Sequence, residues 1–204
     1  MQLMRPDRVA RGFTLIELMV TLAIASVLAA VAMPAFRTWI ANAKVRAATE
    51  SVASQVRLAQ AEAVKRYRRV VLYRAAASSS CPGTIPTYSA NGSAWIIKTI
   101  PLYTGDTEEV VQCGNLSDST TDVTVTPGVA CFGTNGWPIA LASGVTGAGV
   151  ACTVSTSGTV TFSATSSTSA GDRPLQITVG LAGAVRMCDP SKTYSASNPD
   201  GCPP

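Results

Sequence analysis

Gly12-Phe13-Thr14-Leu15-Ile16-Glu17-Leu18-Met19-Val20 decides how the rest of the chain is read. It opens an apolar run in which Glu17 is the only charge from residue 13 to residue 36, and 18–36 carries none over 19 positions. A helix rises about 1.5 Å per residue, so the 24 residues of 13–36 span roughly 36 Å, enough to cross a hydrocarbon core of about 30 Å. Upstream, Arg5, Arg8 and Arg11 outweigh Asp7. That bias keeps the N-terminus cytoplasmic and puts the C-terminal bulk on the other side of the membrane.

Three readings compete for this segment. A cleaved secretory signal has a 7–15-residue apolar run and a small-residue cleavage site, and Ala30-Val31-Ala32 would serve. The run is too long for that, and a carboxylate near its start is unwelcome. A plain anchor fits the length but leaves Glu17 unexplained, because an intramembrane carboxylate is costly and signals a functional partner.

The third reading accounts for both. A short basic leader, Gly12, then Phe13 to Glu17 at the head of an apolar run resembles the prepilin signature of type IV pilins and type II secretion pseudopilins. The resemblance implies that residues 1–12 are a leader, that prepilin peptidase cuts between Gly12 and Phe13, and that Phe13 is then N-methylated. Cutting creates an α-ammonium in an apolar setting, and the Glu17 of a neighbouring subunit can neutralise it there.

Helical periodicity continues beyond the apolar run. Val45, Val52, Val56, Ala59 and Ala63 share one face, with Lys44, Arg46, Glu50, Arg57, Lys65 and Arg66 opposite. Glycine is absent from 13–74. One helix is therefore expected over about 13–66, with 13–36 as its transmembrane and assembly half and 37–69 as the amphipathic half. Pro34 lacks a backbone donor and is expected to kink or loosen it. The resemblance makes loosening near Pro34 useful for packing subunits in a filament. The cluster Lys65, Arg66, Arg68, Arg69 and Arg74 has the charge of a nucleic-acid patch, but cations also suit a helix C-terminus. Val70-Val71-Leu72-Tyr73 then looks like a first strand.

From residue 70 onward the period shortens. Runs at 94–102, 109–113, 122–126, 138–142, 150–155, 159–163, 175–179 and 184–188 read as strands, separated by turns such as Asn91-Gly92, Thr104-Gly105-Asp106, Asn135-Gly136 and Ala170-Gly171-Asp172. Residues 70–204 are thus expected to form an antiparallel β-sheet domain packed on the helix, an α+β architecture, with 163–171 as a flexible loop. The resemblance makes that fold pilin-like.

Of 204 residues, 47% are hydrophobic and 14% are charged, against roughly a quarter charged in an ordinary soluble domain. The deficit has two sources, the 13–36 segment and the wholly uncharged stretch 123–171. The charges partition as +2 over 1–12, −1 over 13–36, +7 over 37–74 and −4 over 75–204. The absence of His removes Ser-His-Asp and Cys-His nucleophile systems and His-ligated zinc. No paired nucleophile and base appears, and Asp106, Glu108 and Glu109 read as a solvated turn. No enzyme activity, cofactor, metal or small-molecule substrate is expected.

All six cysteines, Cys81, Cys113, Cys131, Cys152, Cys188 and Cys202, fall in the exported part, and an even count in an oxidising compartment favours disulfides. Six cysteines allow fifteen pairings. The spacing favours Cys188–Cys202, which closes a short C-terminal loop and would contribute about 3 kcal/mol.

Ala41-Asn42-Ala43-Lys44-Val45-Arg46-Ala47, Arg57-Leu58-Ala59-Gln60-Ala61-Glu62-Ala63 and Arg68-Arg69-Val70-Val71-Leu72 resemble the GspH/FimT family of minor pilins and pseudopilins. Gly171-Asp172-Arg173-Pro174-Leu175 and Val185-Arg186-Met187-Cys188-Asp189-Pro190 look like its FimT/FimU branch. The resemblance implies a single-pass inner-membrane protein with a periplasmic domain, later part of an extracellular pilus, with prepilin peptidase and other minor and major pilins as partners. It also implies a place at or near the pilus tip and a role in starting assembly; a secretion pseudopilin is the alternative. Some FimT-type members bind DNA in natural transformation through Gly-Arg-x-Arg. Here the matching stretch is Gly183-Ala184-Val185-Arg186, so Ala184 stands where the first arginine belongs. Arg186, Arg173 and Lys192 are the nearby candidates for DNA contact, few for an affinity built on many phosphate contacts.

Overall fold

The structure is a computed structural model that describes residues 13–76, 87–90, 92–103, 105–115, 123–166 and 173–203. Helix α1 (Leu15–Arg66) is one helix of 52 residues. It starts two residues later than the periodicity predicts because Thr14 serves as its cap. The Thr14 Oγ1 accepts the Glu17 N–H at 3.3 Å, which satisfies one of the free donors of the first turn. The helix ends in a Schellman motif: the Arg68 N–H donates to the Ala63 carbonyl at 3.2 Å and the Tyr67 N–H to Val64 at 3.3 Å. Tyr67 takes the left-handed position, with φ 51°, where glycine is usual. Pro34 lies inside α1, and the helix runs through it without a break.

The chain forms two compact units, Met1–Trp39 and Ile40–Pro204. In the first, the apolar side chains of α1 are exposed; Leu15, Leu22, Val31 and Phe36 are examples. Thr21 and Ser26 turn their hydroxyls onto the carbonyls of Leu18 and Ala23, at 2.9 and 2.8 Å. These hydroxyls are therefore satisfied locally, as a segment in lipid requires.

In the second unit, α1 buries Ala41, Val45, Ala48, Thr49, Val52, Ala53, Val56, Ala59 and Ala63. This is the face the sequence spacing marks out. Small residues dominate it, so sheets pack close to the helix backbone. Strands β1 (Val70–Ala75), β2 (Ala94–Thr99), β3 (Val110–Asn115) and β5 (Val129–Phe132) form one sheet in the order β3-β2-β1-β5. Strands β4 (Val123–Thr126), β6 (Val160–Ser166), β7 (Leu175–Val179), β8 (Val185–Thr193) and β9 (Gly201–Cys202) form a second, in the order β4-β6-β7-β8-β9.

The first sheet is covered on both sides. Val70, Leu72, Trp95 and Ile97 join the helix-facing core, while Val71, Tyr73, Ala75 and Ile96 pack with Val129, Ala148 and Cys152 on the other side. The second sheet is covered on one side only. Val160, Phe162 and Ala164 point inward, and Thr161 and Thr165 are exposed, the period-2 pattern of a half-buried sheet.

Several sequence expectations need correction. The runs at 138–142 and 150–155 are not strands. They contribute only isolated bridges, Phe132 to Pro138 and Leu141 to Cys152, flanking the one-turn helix α2 (Ser143–Thr146). Residues 129–132, unmarked by the sequence reading, are a fully buried strand. Strand β8 runs on to Thr193 and pairs with β9 in parallel, Asp189 with Gly201 and Thr193 with Cys202. The sheets are otherwise antiparallel. Strand β6 continues to Ser166, so part of the expected 163–171 loop is strand; 167–172 lies outside the described residues.

Candidate functional site

The assembly end is built by the first turn of α1. Phe13 is exposed, and Glu17 occupies the third helical position, three after Thr14, the spacing of a capping box. Only half of that box is formed: Thr14 accepts the Glu17 N–H. Among the described residues no ion pair or hydrogen bond takes up the Glu17 carboxylate. It is a charge at the head of an apolar helix, near the positive end of the macrodipole and open to an outside cation. Gly12, the expected cut site, lies outside the described residues.

The basic cluster at the end of α1 is not an open cationic surface. Arg66 pairs with Glu62 at 2.7 Å and with Glu109 at 2.7 Å. Arg68 pairs with Asp106, and Arg69 donates to the Pro101 carbonyl at 3.0 Å. Arg74 is buried and gives Nε and Nη2 to the Gly92 carbonyl at 2.9 and 2.6 Å. Burial pulls its pKa down, partly offset by Tyr88.

The turn carrying Asp106, Glu108 and Glu109 is open to solvent at Glu108 and Glu109, as the sequence reading expects, but its carboxylates are not merely solvated. Each also meets a cation: Asp106 the Arg68 just past α1, Glu108 the Lys98 of β2, and Glu109 the Arg66 of α1. The Leu102 N–H, with Arg68 beside it, holds the Asp106 carboxyl below the usual range. Lys98, on β2, is 1% exposed, and its Nζ donates to Glu108 at 2.6 Å and to the Gly147 carbonyl at 2.7 Å. It also lies 5.9 Å from the centre of the Tyr73 ring. Burial first, and Glu108 second, push the Tyr73 hydroxyl up to about 12. Gly147 has φ 62°, and a Cβ there would collide with the Glu108 carboxylate. Sequence reading missed this node because a lysine in a strand is ordinarily a solvent-facing residue.

Two of the three DNA-contact candidates, Arg186 and Lys192, have side chains engaged within the β domain. Arg186 lies over the Tyr194 ring at 5.4 Å. Lys192 pairs with Asp200 at 2.5 Å and, more distantly, with Asp189 at 3.9 Å. The Arg173 N–H donates to Asn42 Oδ1 at 3.0 Å, which ties the start of β7 to the helix.

Cys131 is bonded to Cys152 and Cys188 to Cys202. The first bridge links β5 to the segment after α2, over the outer core. The second joins β8 to β9 and closes the tail. Cys113 is also disulfide-bonded, and Cys81 lies outside the described residues. Replacing Cys188 and Cys202 together by Ser should lower stability by about 3 kcal/mol, read as a lower urea midpoint than the parent shows without reductant.

A helix long and apolar enough to cross a membrane, headed by this first turn and running on into a two-sheet β domain, defines a pilin-class protein. Residues 7–33 match the prokaryotic N-terminal methylation motif. Residues 48–183 match type II transport protein GspH. The chain belongs to this GspH family, which groups minor pilins and pseudopilins. Two crystal structures of the type IV minor pilin FimU from Pseudomonas aeruginosa are similar to it. One is 15% identical over 72% of this chain and 90% of that chain, with a TM-score of 0.45. The other is 16% identical over 72% and 94%, with a TM-score of 0.44. No curated protein matches the chain significantly.

Proposed function

We propose that the protein is a structural minor pilin. Prepilin peptidase cuts it between Gly12 and Phe13 and methylates Phe13. It then enters a type IV pilus, at or near the tip, and helps start assembly. The observation that carries this reading is the first turn of α1, where Glu17 has no partner among the described residues and sits at the head of an exposed apolar helix. The methylation motif over 7–33 supports the processing step. In the membrane the chain is single-pass with its β domain periplasmic, and in the filament its partners are other pilins.

The description of the matched family names type II transport, which favours one second reading, a secretion pseudopilin. Both readings share the processing chemistry and differ in the filament joined. Intact mass of the membrane-extracted protein tests the shared part. The expected result is a chain beginning at Phe13 with one added methyl group. A chain beginning at Met33 would support a secretory signal and overturn both. Deletion of the gene then separates the two, since loss of surface pili marks the first and loss of secreted protein with normal pili marks the second.

A further inference from the structure

The exposed apolar surface of α1 stops at a defined place. Ile40 is 41% exposed, whereas Ala41, the next residue, is buried in the β-domain core. Immediately before this change stands Phe36-Arg37-Thr38-Trp39. Phe36 and Trp39 are 62% and 65% exposed and pair with each other, ring centroids 5.8 Å apart and planes tilted by 48°. Among the described residues no carboxylate pairs with Arg37, whose guanidinium has only the thioether of Met33 at 3.9 Å. Thr38 turns its hydroxyl back onto the Pro34 carbonyl at 3.3 Å. The turn thus presents two amphipathic or apolar rings and one uncompensated cation to its surroundings.

Distance along the helix fixes what those surroundings are. From Leu15 to Phe36 is 22 residues, or about 33 Å of helix, close to the roughly 30 Å thickness of a hydrocarbon core. Phe36 and Trp39 therefore fall at the lipid–water boundary on the exported side. Aromatic rings concentrate at that depth, and arginine stems extend there so that the guanidinium reaches the headgroups. We infer that Phe36, Arg37 and Trp39 form an interfacial anchor, with the ring pair in the headgroup layer and Arg37 on a lipid phosphate. The continuity of this turn with the membrane-length apolar run selects lipid as the occupant. The anchor sets the depth of the chain in the bilayer and is what a filament must release when it extracts the subunit. This inference rests on the reading of 13–36 as a membrane segment.

The test uses the full chain carrying Trp137→Phe, in vesicles of phosphatidylethanolamine and phosphatidylglycerol. Trp95 is largely enclosed in the core, so Trp39 is the exposed indole that remains. Doxyl quenchers are placed near the lipid carbonyls or at the chain ends. Stronger quenching by the shallow label is expected, with the maximum moving deeper in Arg37→Gln. Trp39→Phe should abolish the lipid-dependent part of the quenching. A maximum at the chain ends, no quenching of a chain that floats with the vesicles, or an unchanged depth in Arg37→Gln overturns the anchor. Failure to float at all overturns the membrane reading and the anchor with it.

Discussion

Glu17→Ala should leave cleavage after Gly12 and methylation of Phe13 intact while abolishing incorporation into filaments. The structure makes this substitution unusually clean. The helix-capping contact in the first turn runs from the Glu17 N–H to Thr14 Oγ1, so it depends on the backbone of residue 17 and not on its carboxylate. Alanine keeps that N–H and is the best helix former, so the first turn is retained. What disappears is the carboxylate at the head of the apolar run, which is unpaired among the described residues. In a filament the new α-ammonium of a neighbour would then lie in an apolar bundle without a counter-charge. Leaving one member of a buried ion pair alone costs about 3–5 kcal/mol, roughly a hundredfold or more in the equilibrium for adding a subunit. Glu17→Gln should fail to the same degree, because it keeps the shape and loses the charge. Thr14→Val should be milder, since losing a cap costs about 1 kcal/mol. The readouts are the mass of the mature chain and its recovery in sheared filaments. Normal recovery of Glu17→Ala would remove the carboxylate from the assembly mechanism.

The long helix was legible in the sequence because two periodic signals meet in it without a break, an apolar run and a 3.6-residue face, and no glycine interrupts them. Val45, Val52, Val56, Ala59 and Ala63 are all buried for the reason that their spacing implies. The one-sided sheet was also legible: β7 matches its sequence reading residue for residue, because alternation survives where one face meets water. The two-sided sheet was harder. Strand β5 holds only four residues, Val129-Ala130-Cys131-Phe132, buried on both faces, so no alternation marks it and the preceding Pro127-Gly128 reads as a turn. The parallel pairing of β8 with β9 is tertiary, set where the tail returns beside β8 and is tied there by Cys188–Cys202. Among the functional residues, Glu17 stood out because a lone charge in an apolar run is rare. Lys98 did not, because a single lysine carries no signal of burial, and its partners Glu108 and Gly147 are remote in different loops.

Lys98→Ala should destabilise the β domain more than a loss of surface charge would. Lys98 is almost wholly buried on β2, and two acceptors share its ammonium, the Glu108 carboxylate and the Gly147 carbonyl. Removing it leaves both without their donor and opens a void beneath Tyr73. Deleting one partner of a buried pair costs about 3–5 kcal/mol. Glu108 is about a third exposed, with 32% of its side chain accessible, so water softens the loss and the lower end of that range applies. For a domain of this size a loss of about 3 kcal/mol lowers the melting temperature by roughly 6–12 °C. Glu108→Gln should cost less, because the amide oxygen still accepts from Lys98 and the site stays partly wet. The informative variant is Lys98→Met with Glu108→Leu. If the node is a desolvated pair held by geometry, replacing both charges by apolar groups should recover most of the loss, because the unpaired charge and not the absence of a bridge causes it. The Gly147 carbonyl would still lack its donor, so recovery should be incomplete by about 1 kcal/mol. Fluorescence-detected melting of the full chain in detergent reads all three variants, with Trp95 on the same strand as a reporter. A loss below about 1 kcal/mol in Lys98→Ala would place Lys98 with ordinary surface pairs.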